Sequence, residues 1–334
     1  MRPDLQLTPQ PGKPAEQAER LTELVLAARS DGVFVLSGAG LSTDSGIPDY
    51  RGATGRLRPA TPMTFQEFTS SVRARQRYWA RSHRGWRTIA RTQPNAGHRA
   101  VARLQQAGLL SGVVTQNVDG LHQEGGAYPV IELHGGLDRV VCLACRAISD
   151  RDELDARLTA ANPELQLDND NDHRNDLDRD NDLGSDRDND LGSDRDNDFA
   201  SNQAVKPDGD VDLSEDEVAT FRVVDCLDCG SGPLKPDVVF FGENVPPERV
   251  AASYALVESS GLALVLGSSL TVASGFRFVR RAASRGIGVV IVNQGATRGD
   301  QYAQLTIDAP LGEILPAVAD RATRAVDRTR SAAL

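Results

Sequence analysis

A polar, glycine-rich stretch near the start of the chain has the residue types needed to bind a phosphate-containing ligand. Residues 38–52 read Gly-Ala-Gly-Leu-Ser-Thr-Asp-Ser-Gly-Ile-Pro-Asp-Tyr-Arg-Gly and follow the apolar run 33–36. Because glycine has no Cβ, a strand that ends in such a turn can bring backbone N–H groups close to a phosphate. Gly38 and Gly40 fit the dinucleotide-binding pattern, although the third glycine is out of register. An ordinary turn is the alternative, but it does not need the polar side chains crowded into this loop, which are Ser42, Asp44, Ser45, Asp49 and Arg51.

A second polar group follows two further apolar runs. Gln116, Asn117 and Asp119 come after the run 113–115, and His134 comes after the run 130–133. A histidine beside an apolar strand is more often a hydrogen-bonded structural residue than a base. Its place at the same sheet edge as the amides and the carboxylate makes His134 the candidate general base. No Ser or Cys nucleophile is evident, so we expect the substrates to supply the nucleophile and the protein to activate a hydroxyl or water.

The cysteines have the spacing of metal ligands. All four occur in two Cys-x-x-Cys pairs, Cys142 with Cys145 and Cys226 with Cys229. Two such pairs can share one tetrahedral zinc, and four thiolates leave no open position, so the spacing predicts one structural Zn²⁺ and not a catalytic one. The 80 residues between the pairs are tolerable because loop-closure entropy grows only logarithmically with length. Thiol redox chemistry is the alternative.

An aspartate-rich repeat lies between the cysteine pairs. The octapeptide Asp-Arg-Asp-Asn-Asp-Leu-Gly-Ser begins at Asp178 and at Asp186, and it recurs from Asp194 with Leu-Gly replaced by Phe-Ala. Such a sequence has too little apolar surface to pack, so we expect residues 168–201 to be a disordered insertion. Calcium binding by the alternating aspartates is the alternative, but the glycine and the glutamate that a calcium loop requires are misplaced.

The elements that must position these residues alternate between short apolar strands and amphipathic helices. This alternation predicts a doubly wound, Rossmann-like α/β domain with a parallel sheet, in which ligands bind at the carboxyl ends of the strands. Residues 55–95 contain no convincing strand and are predicted to form a helical insertion beside the glycine-rich loop. Helices are predicted over 15–30, 95–107, 246–259 and 274–285, and strands over 33–36, 113–115, 130–133, 238–241, 262–266 and 288–292.

Composition places the chain among soluble globular proteins, with 40% hydrophobic and 25% charged residues. No run approaches the roughly 18 apolar residues that span a bilayer, and the N-terminus has no apolar export segment. We therefore expect a cytoplasmic protein without a membrane partner. The 13 Asp and 4 Arg between Asp168 and Asp198 account for −9 of the total charge of −10. The rest is near neutral, which argues against a nucleic-acid partner. A monomer is compatible with the sequence, which does not define the oligomeric state.

Taken in order along residues 15–315, the motifs resemble those of the sirtuins. They are the glycine-rich loop at 38–51, Thr-Gln-Asn-Val-Asp-x-Leu-His at 115–122, His-Gly at 134–135, the paired cysteines, Phe-Gly-Glu at 241–243, Gly-Ser-Ser-Leu at 267–270 and Val-Asn at 292–293. Residues 75–81, 207–211 and 234–242 resemble the class II branch. The octapeptide repeat has no counterpart in that pattern.

The resemblance implies NAD-dependent removal of acyl groups from protein lysines, with nicotinamide and 2′-O-acyl-ADP-ribose as products. It implies that the acyl oxygen attacks the ribose C1′, and that His134 acts as general base on the ribose hydroxyls beside Asn117 and Asp119. Phe241, Gly242 and Glu243 would pair with the substrate backbone as an added strand, with a strand end and turn as the alternative. The implied NAD contacts are Gly38, Ala39, Gly40, Ser42, Ile47, Asp49, Tyr50, Arg51, Gln116, Asn117, Val118, Asp119, Gly267, Ser268, Ser269, Asn293, Gln294, Gly295 and Leu311.

Three alternatives stay open within this interpretation. Tyr78-x-x-Arg81 has the spacing that holds acidic acyl groups in the desuccinylating branch, because a guanidinium suits a carboxylate, whereas an arginine on a helix surface is the simpler interpretation. Mono-ADP-ribosyltransferase, lipoamidase or longer-chain deacylase activity would use the same NAD site. A non-catalytic NAD sensor or zinc scaffold is the third alternative. Such a protein would be expected to lack some of the catalytic residues, yet Asn117, Asp119 and His134 are all present.

The domain organisation follows from these assignments. We expect a loose tail at 1–14, one catalytic domain at 15–320 and a C-terminal tail at 321–334. Within the domain, the Rossmann-like core comprises 15–54, 95–140 and 234–318, the helical insertion 55–94, and the zinc module 141–233.

Overall fold

A parallel sheet forms the centre of the fold. The computed structural model describes residues 13–50, 62–166, 206, 209–211 and 213–332. Within these ranges six strands pair in the order β3-β2-β1-β7-β8-β9, all parallel. They are β1 (Val33–Ser37), β2 (Leu110–Thr115), β3 (Val130–Glu132), β7 (Leu262–Leu266), β8 (Gly288–Val292) and β9 (Leu305–Ile307). The predicted fold class is confirmed.

Helices cover both faces of this sheet. Alternate strand residues point to opposite faces, so Val33 and Val35 pack against one helical layer while Phe34 and Leu36 pack against the other. The first layer contains α1 (Pro14–Ala27), α4 (Ala96–Gln106) and α10 (Leu311–Ala332), and the second contains α8 (Pro247–Glu258) and α9 (Ala273–Ser284). The short helix α5 (Leu121–Glu124) follows β2.

The insertion after the glycine-rich loop is helical. It consists of α2 (Phe65–Ser70) and α3 (Val72–Arg91). The hydroxyl oxygens of Thr64 and Ser71 cap these helices by accepting backbone N–H bonds. The buried face of α3, which includes Tyr78 and Trp79, packs on the zinc module.

One strand prediction was wrong. The apolar run 238–241 suggested a strand of the parallel sheet, but the strand here is β6 (Leu234–Val238), which pairs antiparallel with β4 (Gly135–Cys142). With β5 (Ile148–Asp150), these strands form a separate sheet in the order β5-β4-β6. Pro236 fits there because β6 is an edge strand. Among the described residues, Phe241 forms an isolated parallel bridge with Thr64.

The zinc module contains two further helices, α6 (Arg151–Ala161) and α7 (Glu215–Thr220). The predicted insertion at 168–201 lies outside the described residues, as do residues 1–12 and Arg51. Within the described ranges, none of the helices has the length and apolar character needed to cross a membrane.

The prediction of a C-terminal tail from residue 321 was wrong. Helix α10 continues to Ala332, and Ala322 and Val326 on it are buried against the core. The apolar positions of this helix include Val318, Ala322 and Val326, which are four residues apart and lie on one helical face. This spacing explains why the helix continues to pack beyond the predicted boundary.

Candidate active site

The loops that follow β1 and β7 pack closely against each other at their glycines. A Cβ on Gly38 would lie 2.8 Å from the carbonyl oxygen of Gly267, and one on Gly40 would lie 3.0 Å from the Cα of Gly267. The N–H of Gly38 donates to the carbonyl of Leu266, and that of Gly40 donates to Gly267. The close approach of the two loops therefore requires these glycines. Their N–H groups are engaged within the protein, whereas the glycine-rich pattern suggested that they face a bound phosphate.

A cavity of about 430 Å³ opens at the carboxyl edge of the sheet. Most of the predicted site residues line it, although they come from six separate stretches of sequence. Leu311 does not appear in the described lining and is instead buried in the core. The lining includes Gly38, Ala39, Gly40, Ser42, Ile47, Asp49, Tyr50, Gln116, Asn117, Val118, Asp119, His134, Phe241, Gly242, Glu243, Gly267, Ser268, Ser269, Asn293, Gln294 and Gly295.

Asn117, Ser42 and Asp119 form one hydrogen-bonded group in this cavity. The side-chain amide of Asn117 donates to Ser42 Oγ at 3.0 Å and to the carbonyl of Gly38 at 3.1 Å. Ser42 in turn donates to Asp119 Oδ2 at 2.6 Å. Burial raises the pKa of Asp119, while its hydrogen bonds from Ser42 and from the N–H of Leu121 act in the opposite direction. The glycine-rich loop is thus tied to the loop after β2 by side chains that face the cavity.

His134 has both ring nitrogens engaged. Its Nδ1 lies 2.8 Å from the carbonyl oxygen of Gln116, and its Nε2 lies 2.8 Å from Ser274 Oγ. A carbonyl can only accept, so Nδ1 carries the hydrogen, and the lone pair of Nε2 faces Ser274, which also lines the cavity. Burial is the main cause that lowers the pKa of His134, assisted by the positive charges of Arg249 and Arg277. The imidazole is therefore neutral near pH 7 and able to accept a proton.

The predicted substrate segment is held against the helical insertion. The N–H of Phe65 donates to the carbonyl of Phe241 at 2.9 Å, and Gln66 Nε2 donates to the carbonyl of Gly242 at 3.1 Å. Gly242 has a φ of +81°, which favours glycine. Phe241 remains 39% exposed, so its side chain is available at the rim of the cavity.

The carboxylate of Glu243 points inward. It accepts the N–H of Phe240 at 2.9 Å and pairs with the ammonium of Lys235 at 3.0 Å. Lys235 is 3% exposed, and its Nζ also donates to the carbonyls of Pro236 and Val238. The side chain of Glu243 is therefore used to shape the 240–243 turn.

Tyr78 and Arg81 are not equivalent in the structure. Tyr78 lines the cavity and packs among Phe68, Trp79 and Phe240. Arg81, half-buried on the same helix, is absent from the described lining. Asp210 lines the cavity instead. The segment that contains Asp210 crosses α3 at Gly85, and a Cβ on Gly85 would lie 1.9 Å from the carbonyl oxygen of Gly209.

Sequence reasoning missed Asp210, Ser274 and Lys235 as groups that line or shape the cavity. Asp210 lies within the Pro-Asp-Gly-Asp-Val stretch that resembles class II, which is the one signal that could have drawn attention to it. Lys235 likewise lies within the stretch 234–242 that resembles class II, but that resemblance does not indicate its contacts inside the turn. Ser274 contacts His134 across 140 residues of sequence, and no local pattern indicates this contact.

The four cysteines converge as predicted. All four Sγ atoms lie within 4.8 Å of one another, and the Cys142–Cys229 and Cys145–Cys226 Sγ pairs are both 3.7 Å apart. Tetrahedral zinc with Zn–S bonds of about 2.3 Å places its sulfurs about 3.8 Å apart. The donor set and its spacing therefore fit one structural Zn²⁺.

The parallel sheet, the cavity at its carboxyl edge and the four-cysteine module define a Rossmann-like α/β protein with an attached zinc module. The chain belongs to the Sir2 family, whose family model matches residues 38–274. This confirms the predicted relationship to the sirtuins. Assignment to the class II branch stays a prediction.

Curated relatives match over nearly the whole chain. It is 52% identical over 321 residues to NAD-dependent protein deacetylase 1 of Streptomyces coelicolor, covering 96% of each protein. It is 47% identical to NAD-dependent protein deacetylase 1 of Mycobacterium avium, covering 89% of this chain and 94% of the relative. A solved structure described as Sir2-p53 peptide-NAD+ is similar with a TM-score of 0.62 at 26% identity, covering 91% of this chain and 97% of that one.

Proposed function

We propose that this chain is an NAD-dependent protein-lysine deacylase that produces nicotinamide, deacylated lysine and 2′-O-acyl-ADP-ribose. The observation that carries the proposal is that Asn117, Asp119 and His134 line one cavity whose lining also contains the segment 241–243. The names of the two curated relatives support it, since both are protein deacetylases that depend on NAD. The similar solved structure is described as containing both a peptide and NAD+.

The side chains that line the cavity have different roles in the proposed reaction. His134 accepts a proton at Nε2 from a ribose hydroxyl, whose oxygen then attacks the acyl carbon. The acyl oxygen and the ribose hydroxyl both belong to substrates, so the protein needs a base and hydrogen-bond donors but no nucleophile of its own. Asp119 and the backbone at Ile47 hold the nicotinamide carboxamide, and Gln116 and Asn117 address the ribose. The structural Zn²⁺ holds the module that packs behind Tyr78 and Phe240.

We propose further that apolar acyl chains are preferred over acidic ones. Asp210 lines the cavity and Arg81 is absent from the described lining. Without Arg81 in the described lining, an acidic acyl chain lacks the guanidinium that the Tyr78-x-x-Arg81 spacing suggested as its partner. Ile47, Val118 and Leu137 supply apolar surface in the same cavity.

The test is a panel of acetyl, lipoyl, succinyl and glutaryl peptides incubated with NAD, with His134→Ala as the control. Mass spectrometry of the peptides and of the intact protein follows the loss of acyl groups and the gain of ADP-ribose separately. We expect deacylation that depends on NAD and is abolished in His134→Ala, and faster turnover of acetyl or lipoyl peptides than of the acidic ones.

Two outcomes would contradict the deacylase function, and a third would contradict the acyl preference. Tight NAD binding without nicotinamide release on any peptide would favour an NAD sensor. Protein that gains ADP-ribose while every peptide keeps its acyl group would favour the transferase alternative. A preference for succinyl or glutaryl peptides that disappears in Arg81→Ala would reverse the proposed acyl preference.

A further inference from the structure

Ser274 makes a direct contact with the proposed general base. It is the second residue of α9, is 8% exposed and lines the cavity. Its Oγ lies 2.8 Å from Nε2 of His134, although 140 residues separate the two in sequence. Nothing in the sequence motifs singles out this serine.

The direction of this hydrogen bond follows from the other ring nitrogen. Nδ1 of His134 carries the hydrogen because its partner is the carbonyl oxygen of Gln116. Nε2 is then an acceptor, and Ser274 donates to it. The lone pair that must take a proton from a ribose hydroxyl is thus occupied by a serine hydroxyl in the substrate-free protein.

The start of α9 packs against the side chain of Gln116, whose backbone carbonyl accepts the hydrogen bond from Nδ1 of His134. A Cβ on Gly275 would lie 2.6 Å from Nε2 of the Gln116 side chain, so a larger residue at this position would displace that side chain. Ser268 Oγ donates to Oε1 of Gln116 at 2.7 Å. Gln116 and Ser274 therefore hold the two nitrogens of His134 from one packed unit, which fixes both the tautomer and the plane of the ring.

We propose that Ser274 is a positioning residue for the general base, and that its hydroxyl alternates between donor and acceptor during the reaction. This inference rests on the proposed deacylase function. Before substrate binds, Ser274 donates to Nε2. When a ribose hydroxyl takes that place, its proton moves to Nε2 and its oxygen electron pair forms the bond to the acyl carbon of the C1′-linked adduct. The C=N π bond of that adduct breaks, and its electron pair moves onto the lysine nitrogen. The new N–H of the imidazolium then donates to Ser274 Oγ, which keeps its own hydrogen.

The two halves of the reaction separate this role from a general structural one. Release of nicotinamide does not use the base, and its reversal can be followed as exchange of labelled nicotinamide into NAD in the presence of acyl peptide. Acyl transfer to the ribose does use the base. A hydrogen bond to a charged group contributes about 1.5–3 kcal/mol, so Ser274→Ala should slow product formation roughly ten- to hundredfold, while exchange stays within about twofold of wild type.

Two further variants make the test decisive. Ser274→Thr keeps the hydroxyl and should restore most of the product formation. Ser284→Ala removes an exposed serine from the same helix and should leave both rates unchanged. If Ser274→Ala does not fold, Ser274→Cys provides a residue of similar size with a weak donor, and it should show the same selective loss.

Equal loss of exchange and product formation in the Ser274 variants, or full product formation in Ser274→Ala, would overturn the inference. Failure of the proposed function itself is distinguishable, because wild-type protein would then release no nicotinamide with any acyl peptide.

Discussion

Three histidines lie near the same edge of the sheet, and their partners give them different chemistry. His98 Nδ1 accepts the N–H of Asn95 in a helix cap, and His122 Nε2 lies 2.8 Å from Ser37 Oγ. Burial lowers the pKa of His98 to about 3 and that of His122 to about 4, so both are neutral structural groups. His134 differs because it lines the cavity, as does Ser274, the partner of its Nε2.

The pH dependence of His134 is the first prediction. Because burial and two nearby arginines favour its neutral form, its pKa lies below the ordinary value of 6.5. A base must be unprotonated to act, so the acid limb of kcat/KM for an acyl peptide should fall below pH 6.5. A pH–rate profile measured with saturating NAD checks this. An acid limb above pH 6.5 would contradict it. Exchange of labelled nicotinamide into NAD, which does not use the base, should lack that limb and is the control.

Asp119→Asn should have opposite effects on the stability and the activity of the protein. Burial raises the pKa of Asp119, so the folded state holds its proton more tightly than the unfolded chain does. Wild-type stability is then lost as pH rises from the unfolded pKa through the folded one. The asparagine variant does not lose stability in this way, so its free energy of unfolding should increase relative to that of wild type as the pH rises. Its rate of nicotinamide release should fall roughly ten- to hundredfold.

Urea unfolding of both proteins at several pH values measures this difference. A stability difference between Asp119→Asn and wild type that is independent of pH would mean that the carboxyl group has the same pKa in the folded and unfolded states. Ser42→Ala provides a matched comparison, because it removes the hydrogen bond to Asp119 but leaves the carboxylate in place.

At this scale the sequence identifies the residues that belong to local motifs and misses those defined by contact. Asn117, Asp119 and His134 each follow an apolar run, so the sequence alone places them at one edge of the sheet. It does not single out Ser274 or Lys235, because each is defined by a partner in another element or across a turn. The glycines at 38 and 40 stand out in the sequence, but their pattern does not reveal that a second loop packs against them.

At the scale of elements, the turn at 240–243 is built around a buried ammonium. Lys235 offers three N–H donors, and its contacts are the carboxylate of Glu243 and the carbonyls of Pro236 and Val238. Its Nζ also lies 4.6 Å from the ring centroid of Phe240. Burial lowers the pKa of Lys235, and the charge of Glu243 opposes that effect.

Lys235→Met should weaken peptide binding with little effect on NAD. The substitution keeps an unbranched side chain but leaves Glu243 and two carbonyls without their donor, at a cost of about 1–3 kcal/mol. We expect the KM for acyl peptide to rise roughly tenfold, with the Kd for NAD within about twofold of wild type. Steady-state kinetics and calorimetric titration with NAD measure the two quantities.

The same substitution at Lys13, an exposed residue before α1, is the control and should change neither quantity. An unchanged peptide KM in Lys235→Met, or an equal loss of NAD binding, would mean that the ammonium does not organise the substrate segment specifically.

The boundaries of elements were predictable where packing is local. The sequence placed β7 and β8 at their observed bounds, because each is a short apolar run between turn residues. It placed the strand near residue 238 too late, because the run 238–241 is more apolar than β6 while the pairing partner of β6 in β4 is distant in sequence. The periodicity of a run does not specify which sheet it joins.

At the scale of the whole molecule, the zinc module and the helical insertion share one core. Leu154 and Leu158 of the module pack in the same cluster as Tyr78 and Trp79 of α3. Arg151 at the start of α6 is 1% exposed, and its guanidinium carbon lies 5.2 Å from the Trp79 ring and 5.1 Å from the Trp86 ring. Cation–π contacts of this kind are strongest when the cation is desolvated.

The two chain segments that flank the aspartate-rich repeat contact each other directly. Asn162 Nδ2 donates to the carbonyl of Arg222 at 2.9 Å, and the N–H of Arg222 donates to Asn162 Oδ1 at 2.6 Å. Val218 and Phe221 after the repeat pack with Leu158 before it. These contacts close the module, so its fold does not need the repeat as a spacer.

Replacing residues 168–201 by a linker of about ten residues should therefore leave the enzyme intact. Each halving of a flexible loop lowers its closure cost by about 0.6 kcal/mol. The loop between Asn162 and Arg222 shortens by less than half, so the free energy of unfolding should rise by about 0.5 kcal/mol. Zinc content should stay at one ion per chain, and nicotinamide release should stay within about twofold of wild type. A full-length variant with every Asp of the repeat changed to Ser separates charge from length. Loss of activity in both variants would contradict the prediction of an inert insertion, because it would show that the aspartates themselves contribute to the reaction.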